Sequence, residues 1–142
     1  LDQRRRRMKV EEDEWNHIEN AKAAKALSDA GVKVNNGAHG QLEGLGVHWE
    51  MWMLAQGGMS PIEALRASTM NGAEYLGMGD DLGSLEAGKL ADLVILGENP
   101  LDDIKNSDSV EMVMLNGRLY DAKTMNEMVT GNSKRLPHWW EK

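Results

Sequence analysis

Four histidines carry most of the chemistry this chain can do: His17, His39, His48 and His138. No cysteine is present, which excludes both a disulfide framework and a thiolate metal site. His39 stands in the glycine-rich run Gly37-Ala38-His39-Gly40, directly after a short apolar stretch at 32–34. Histidine can ligate zinc or move a proton near neutral pH. A histidine among glycines equally suits a plain flexible loop. His48 and Glu50 are two apart on an expected helix and so point in different directions, which rules out a paired metal site. His48 is expected to pack or hydrogen-bond within the loop at 41–46, with contact to a substrate as its functional alternative. Trp49 and Trp52, with Met53, read as core. His17 on a polar helix side and His138 in the tail read as solvated. The glycines at 37, 40, 44 and 46 lack the spacing of a phosphate loop, which argues against a nucleotide site.

The elements that must position these groups follow from periodicity. Residues 1–14 pair a basic cluster at 4–7 with an acidic one at 11–14 and read as a solvated tail. Trp15, Ile18, Ala21, Ala24, Leu27 and Ala30 mark one apolar stripe of a helix that Gly31 ends. Val32-Lys33-Val34 predicts a short strand, and residues 47–56 a helix apolar nearly all round, buried on most sides. Ser60-Pro61-Ile62-Glu63 is a capping box with proline at the first helical position, opening a helix or helix pair that ends near Gly77. Residues 83–89 read as an extended piece with a tight turn. Residues 91–96 form a strand apolar on both faces, expected to be covered on both. A further strand at 110–115 meets Asn116-Gly117, the strongest short hairpin signal. Residues 122–142 read as a short polar helix and a tail. Four segments result: a tail at 1–14, a strand–helix portion at 15–78, strands at 79–121, and a helix and tail at 122–142.

Composition narrows the function classes. The net charge of −7 argues against nucleic acid or an anionic membrane surface as partner. No apolar run reaches the ~20 residues of a membrane span, and no signal-peptide pattern opens the chain. At 142 residues, starting on leucine, it reads as one small domain or a piece of something longer. Compartment is not legible.

The ordered motifs point to a family. Gly57-Gly58-Met59-Ser60-Pro61-Ile62-Glu63-Ala64-Leu65, Ala67-Ser68-Thr69, the run from Gly83-Ser84-Leu85-Glu86-Ala87-Gly88-Lys89 through Asp92-Leu93-Val94-Ile95-Leu96, Asn99-Pro100-Leu101 and Val113-Met114-Leu115-Asn116-Gly117-Arg118 resemble the C-terminal end of metal-dependent amidohydrolases of the imidazolonepropionase-like type. Gly37-Ala38-His39-Gly40-Gln41 with His48-Trp49-Glu50 is most similar to the branch often fused behind a β-propeller. The resemblance covers about residues 14–121.

That resemblance implies an α/β fold: the terminal strand–helix portion of a (β/α)₈ barrel plus the C-terminal strands of a small composite β-sandwich. It makes residues 32–34 the last barrel strand and implies hydrolysis of C–N bonds in small amides by a divalent metal, zinc foremost, in the intact parent. His39 occupies the position where the family usually has a metal-contacting aspartate, so it is the candidate catalytic residue and metal ligand; His48 is the candidate substrate contact. The family's His-x-His pair occurs nowhere in the chain. The isolated chain is therefore expected to be inactive and to bind no metal tightly. Its expected partners are a second copy, in a dimer or higher oligomer contacting through residues 32–56, or the missing N-terminal barrel half. A non-catalytic, self-associating interaction module is the alternative.

Overall fold

The computed structural model describes residues 16–39, 42 and 44–141. The charged tail at 1–14, Trp15, Gly40 and Gln41 of the glycine-rich motif, Glu43 and Lys142 lie outside the described residues. Among the described residues four helices come first: α1 (Asn16–Asp29), α2 (Leu45–Gln56), α3 (Pro61–Ala67) and α4 (Met70–Tyr75). A three-stranded antiparallel sheet follows, β1 (Leu93–Leu96), β2 (Val110–Leu115) and β3 (Arg118–Asp121), in the order β1-β2-β3. Short 3₁₀ segments lie at Ile104–Asp108 and Trp139–Glu141.

α1 packs on α2 through small residues. Ala21 is fully buried, and a side chain at Gly57 would place its Cβ 2.3 Å from the Ala21 carbonyl carbon. Only glycine permits that approach. α3 starts as its sequence dictates: Ser60 and Glu63 form the capping box, with Glu63 Oε2 accepting from the Ser60 N–H and hydroxyl, each at 2.7 Å. Those two bonds, then Lys25 at 3.4 Å from Glu63, hold the Glu63 carboxyl below its usual range. Of the helix or helix pair expected to end near Gly77, the pair forms. Ser68 Oγ and Thr69 Oγ1 donate back to the Ala64 and Leu65 carbonyls at 3.1 and 2.8 Å, competing with the helix ladder where α3 ends. The core gathers Met51 and Leu54 of α2, Met59, Ala64 and Ala67, and Ile104 from the distant 3₁₀ segment.

The hairpin forms as predicted. Leu115 pairs with Arg118 across a two-residue turn in which Asn116 (φ 49°) and Gly117 (φ 76°) are both left-handed, the backbone that Asn-Gly supplies at least cost. Asp92 Oδ1 and the Ala91 carbonyl accept the turn's two N–H groups, at 2.5 and 3.0 Å. The part-buried Lys89 donates to the Gly79 carbonyl and the Ser84 hydroxyl, both at 2.6 Å, closing the preceding loop.

Three expectations are corrected. Residues 32–34 form no strand: a ladder needs a neighbour, and no described segment pairs with them. Residues 83–89 hold the tight turn read for them, at 87–88, and Lys89 folds them back on residues 79–84. The outer face of β1 is uncovered among the described residues, with Val94 55% exposed. Among the described residues no α-helix follows residue 122; Asp121 accepts from Thr124 N–H and hydroxyl, and Tyr120 bridges to Glu127, so the chain turns back on β3.

Candidate functional site

The loop carrying His39 is held from three sides. The Asn36 N–H donates to the Ala67 carbonyl at the end of α3 (2.9 Å), while its side-chain Nδ2 donates to Ser68 Oγ (2.9 Å) and the Val47 carbonyl (3.0 Å). The Gly37 N–H donates to Glu50 Oε2 of α2 at 2.7 Å. One step behind, Asn71 Nδ2 of α4 donates to the Val34 carbonyl at 2.9 Å. Backbone carbonyls and side chains of three helices and the cap between two of them thus take the place of a sheet ladder. Asn36 Oδ1 is buried and has no hydrogen-bond partner among the described residues. His39 itself is exposed in a left-handed conformation, φ 55°, which histidine tolerates better than most residues.

α2 sorts its side chains onto two faces. Trp49, Met53 and Gln56 follow one helical stripe and, with His17, Ala38, Leu42 and Glu50, line an open cleft of about 500 Å³. His17 Nε2 and Gln56 Oε1 are 3.1 Å apart, so His17 bridges α1 to α2 and is not merely solvated. Trp49 is 47% exposed against the expectation of a core residue, because the loop beside it leaves that side of α2 open. Trp52 also lines the cleft, but its indole nitrogen, like the imidazole of His48 four residues earlier, reaches toward the 3₁₀ segment at 104–108. Trp52 Nε1 donates to the Ile104 carbonyl (3.1 Å) and to Ser107 Oγ (3.0 Å), and His48 Nδ1 lies 3.1 Å from the same Ser107 oxygen. His48 therefore bonds outside the loop at 41–46 where the sequence placed it; its partner is 59 residues away and lacks any local signal. His138 stacks on Trp140, centroids 4.3 Å apart, far along the chain.

No three His, Asp or Glu side chains among the described residues converge on a metal position. A catalytic zinc takes three protein ligands. His39 alone does not fit such an ion, and no chemical step is derived through one. What the site offers is an exposed imidazole on a braced loop beside an aromatic cleft. Ser107 and Asn36 were invisible as site residues from sequence, since both act through tertiary hydrogen bonds.

A family profile described as the amidohydrolase family matches residues 11–120. Over 39 residues the chain is 59% identical to an imidazolonepropionase of Symbiobacterium thermophilum, covering 28% of this chain and 9% of that one. Over 69 residues it is 41% identical to an ochratoxinase of Aspergillus niger, covering 46% of this chain and 14% of that one. The crystal structure of a Xaa-Pro dipeptidase with bound methionine superposes with a TM-score of 0.64 at 32% identity, over 72% of this chain and 25% of that one. The chain thus spans a small part of the relatives it matches. Among the described residues, no helix is long and apolar enough to cross a membrane. With a profile match running through most of its length and a partial α/β fold shared with solved relatives, the chain belongs to the amidohydrolase family.

Proposed function

We propose that this chain supplies the C-terminal part of a metal-dependent hydrolase of C–N bonds in small amides. In this reading residues 32–34, unpaired here, would take a strand's place only beside the missing N-terminal barrel half, and the sheet is one half of a composite β-sandwich. The supporting observation is the bracing of Asn36 and Gly37 by Ala67, Ser68, Val47 and Glu50, which leaves His39, among the described residues of that loop, a titratable group without a hydrogen-bond partner. Hydrolysis adds water to the amide carbonyl, breaks the C–N bond and returns a proton to the leaving nitrogen. His39 is suited to carry that proton, and His48 to bind the substrate. A divalent metal, zinc foremost, completes the whole enzyme with ligands that the described residues do not supply. The family's relatives act on different molecules by name, an imidazolonepropionate in one and ochratoxin in another, and the substrate class here is accordingly no narrower than small amides.

Zinc titration of the chain by calorimetry tests this. The expected result is weak binding, indifferent to His39→Ala. A sub-micromolar site that His39→Ala abolishes would show a self-sufficient metal centre and overturn the reading of a partial, inactive chain.

A second reading, a self-associating module, is favoured by one observation. The outer sheet face carries Val94, Val113 and Leu115 exposed in a row, beside an apolar groove of about 590 Å³. A second copy or the N-terminal barrel half would serve equally as its cover.

A further inference from the structure

Ser107 lies in the 3₁₀ segment Ile104–Asp108 and is only 3% exposed, so each of its hydrogen bonds must be accounted for inside the protein. The Trp52 indole nitrogen can only donate, which makes the Ser107 oxygen the acceptor of that 3.0 Å bond. The hydroxyl proton then needs a place of its own. Among the described residues the remaining partner of Ser107 Oγ is His48 Nδ1, at 3.1 Å. A hydroxyl can donate there only if Nδ1 presents its lone pair, and in a neutral imidazole this puts the ring proton on Nε2. The opposite tautomer would aim a second donor at an oxygen already accepting from Trp52 and strand a buried hydroxyl proton.

We propose that Ser107 is a positioning residue that holds His48 as its Nε2–H tautomer through the relay Trp52 to Ser107 to His48. The relay gives the two rim histidines different duties. With Nδ1 engaged by Ser107 and Nε2 protonated, His48 has no lone pair for a metal and presents one donor on the ring edge away from Ser107. The matching ligand group is an acceptor, a carbonyl or carboxylate oxygen of the substrate. His39, which makes no such bond, keeps both ring nitrogens for proton transfer. This rests on the proposed placement of His48 on the substrate side of the site.

Long-range proton–nitrogen spectra of the nitrogen-15-labelled chain, recorded where imidazole is neutral, test the relay. His48 is expected to show an unprotonated Nδ1 and a protonated Nε2. Ser107→Ala should move both nitrogens toward the averaged positions of a free imidazole, and Ser107→Thr, which keeps the hydroxyl, should restore the separation. Zinc added to the wild-type chain should leave the His48 signals in place. A protonated Nδ1 in the wild type, unchanged signals in Ser107→Ala, or zinc-induced loss of the His48 signals would overturn the proposal. The wild-type spectrum alone decides if Ser107→Ala does not fold. The underlying substrate role is read separately: N-methylacetamide titrated into the labelled chain without moving the His48 Nε2 signal refutes that reading while leaving the tautomer result standing.

Discussion

The carboxylate of Glu50 accepts the N–H of Gly37 at 2.7 Å, so a side chain in the middle of α2 fixes the backbone two residues before His39. A loop rich in glycine gains direction from a single charge-assisted bond. In Glu50→Ala that N–H is left to solvent. Amide exchange at Gly37 should quicken, and the chain should lose about 1 kcal/mol in urea denaturation, the size of one hydrogen bond to an ionised acceptor at an exposed position. Unchanged exchange at Gly37 would show that Asn36 alone braces the loop.

Gly57 is a steric requirement of the α1–α2 contact. An added Cβ would lie 2.3 to 2.5 Å from the carbonyl carbon, Cβ and oxygen of Ala21, atoms that cannot swing aside. Gly57→Ala should therefore cost about 1–3 kcal/mol in denaturant unfolding, although alanine is the better helix former. The mutation should also weaken the His17–Gln56 bond, because separating the helices opens that side of the cleft.

Glu127 governs the acid end of the stability curve. The Thr130 hydroxyl first, and then the N–H groups of Thr130 and Val129, hold its carboxyl down from the ordinary 4.5 to about 2. A depressed folded value means that the stabilisation is complete above about pH 4.5 and is lost as the pH falls toward about 2. Proteolysis with an acid-active enzyme should cut the segment after residue 127 progressively faster across that window. In Glu127→Gln the cutting should be fast already at pH 5 and nearly flat below it. An unaltered pH profile in the variant would remove Glu127 as the cause.

Association should be visible by sedimentation. The chain exposes Leu115 (60%) and Val94 on the sheet and Trp49 on α2, and contact through residues 32–56 is the expected mode. Mass should rise with concentration above the 15.8 kDa of one chain, and Trp49→Asp should shift the equilibrium toward monomer at least tenfold. A loss of association in Val113→Asp but not in Trp49→Asp would move the contact to the sheet.

The parts legible in the sequence are those whose cause is local. Ser60 with Glu63, and Asn116 with Gly117, carry their partners within three residues, and both form as read. The stretch at 32–34 looks like a strand because valine favours one, yet strand identity belongs to a pair, and its partner is not among the described residues. The polar helix expected after residue 122 lost to Asp121, whose carboxylate captured Thr124 in a turn. His39 on its loop was visible from spacing; what His48 touches was not, since Ser107 reaches it only through the packing of Ile104 into the core.

The interruption between α3 and α4 has a further consequence. Were the helix to run on unbroken, the Ala67 carbonyl would accept from the N–H of Asn71 in the next turn. Because the ladder stops there, that carbonyl is free to receive the Asn36 N–H, and Asn71 turns its amide side chain to the Val34 carbonyl. The gap acts as a socket: two polar groups released by one element dock a neighbouring segment that has no ladder of its own. Healing the helix, for instance with Ser68→Ala and Thr69→Ala together, would straighten one element and set the rim loop adrift.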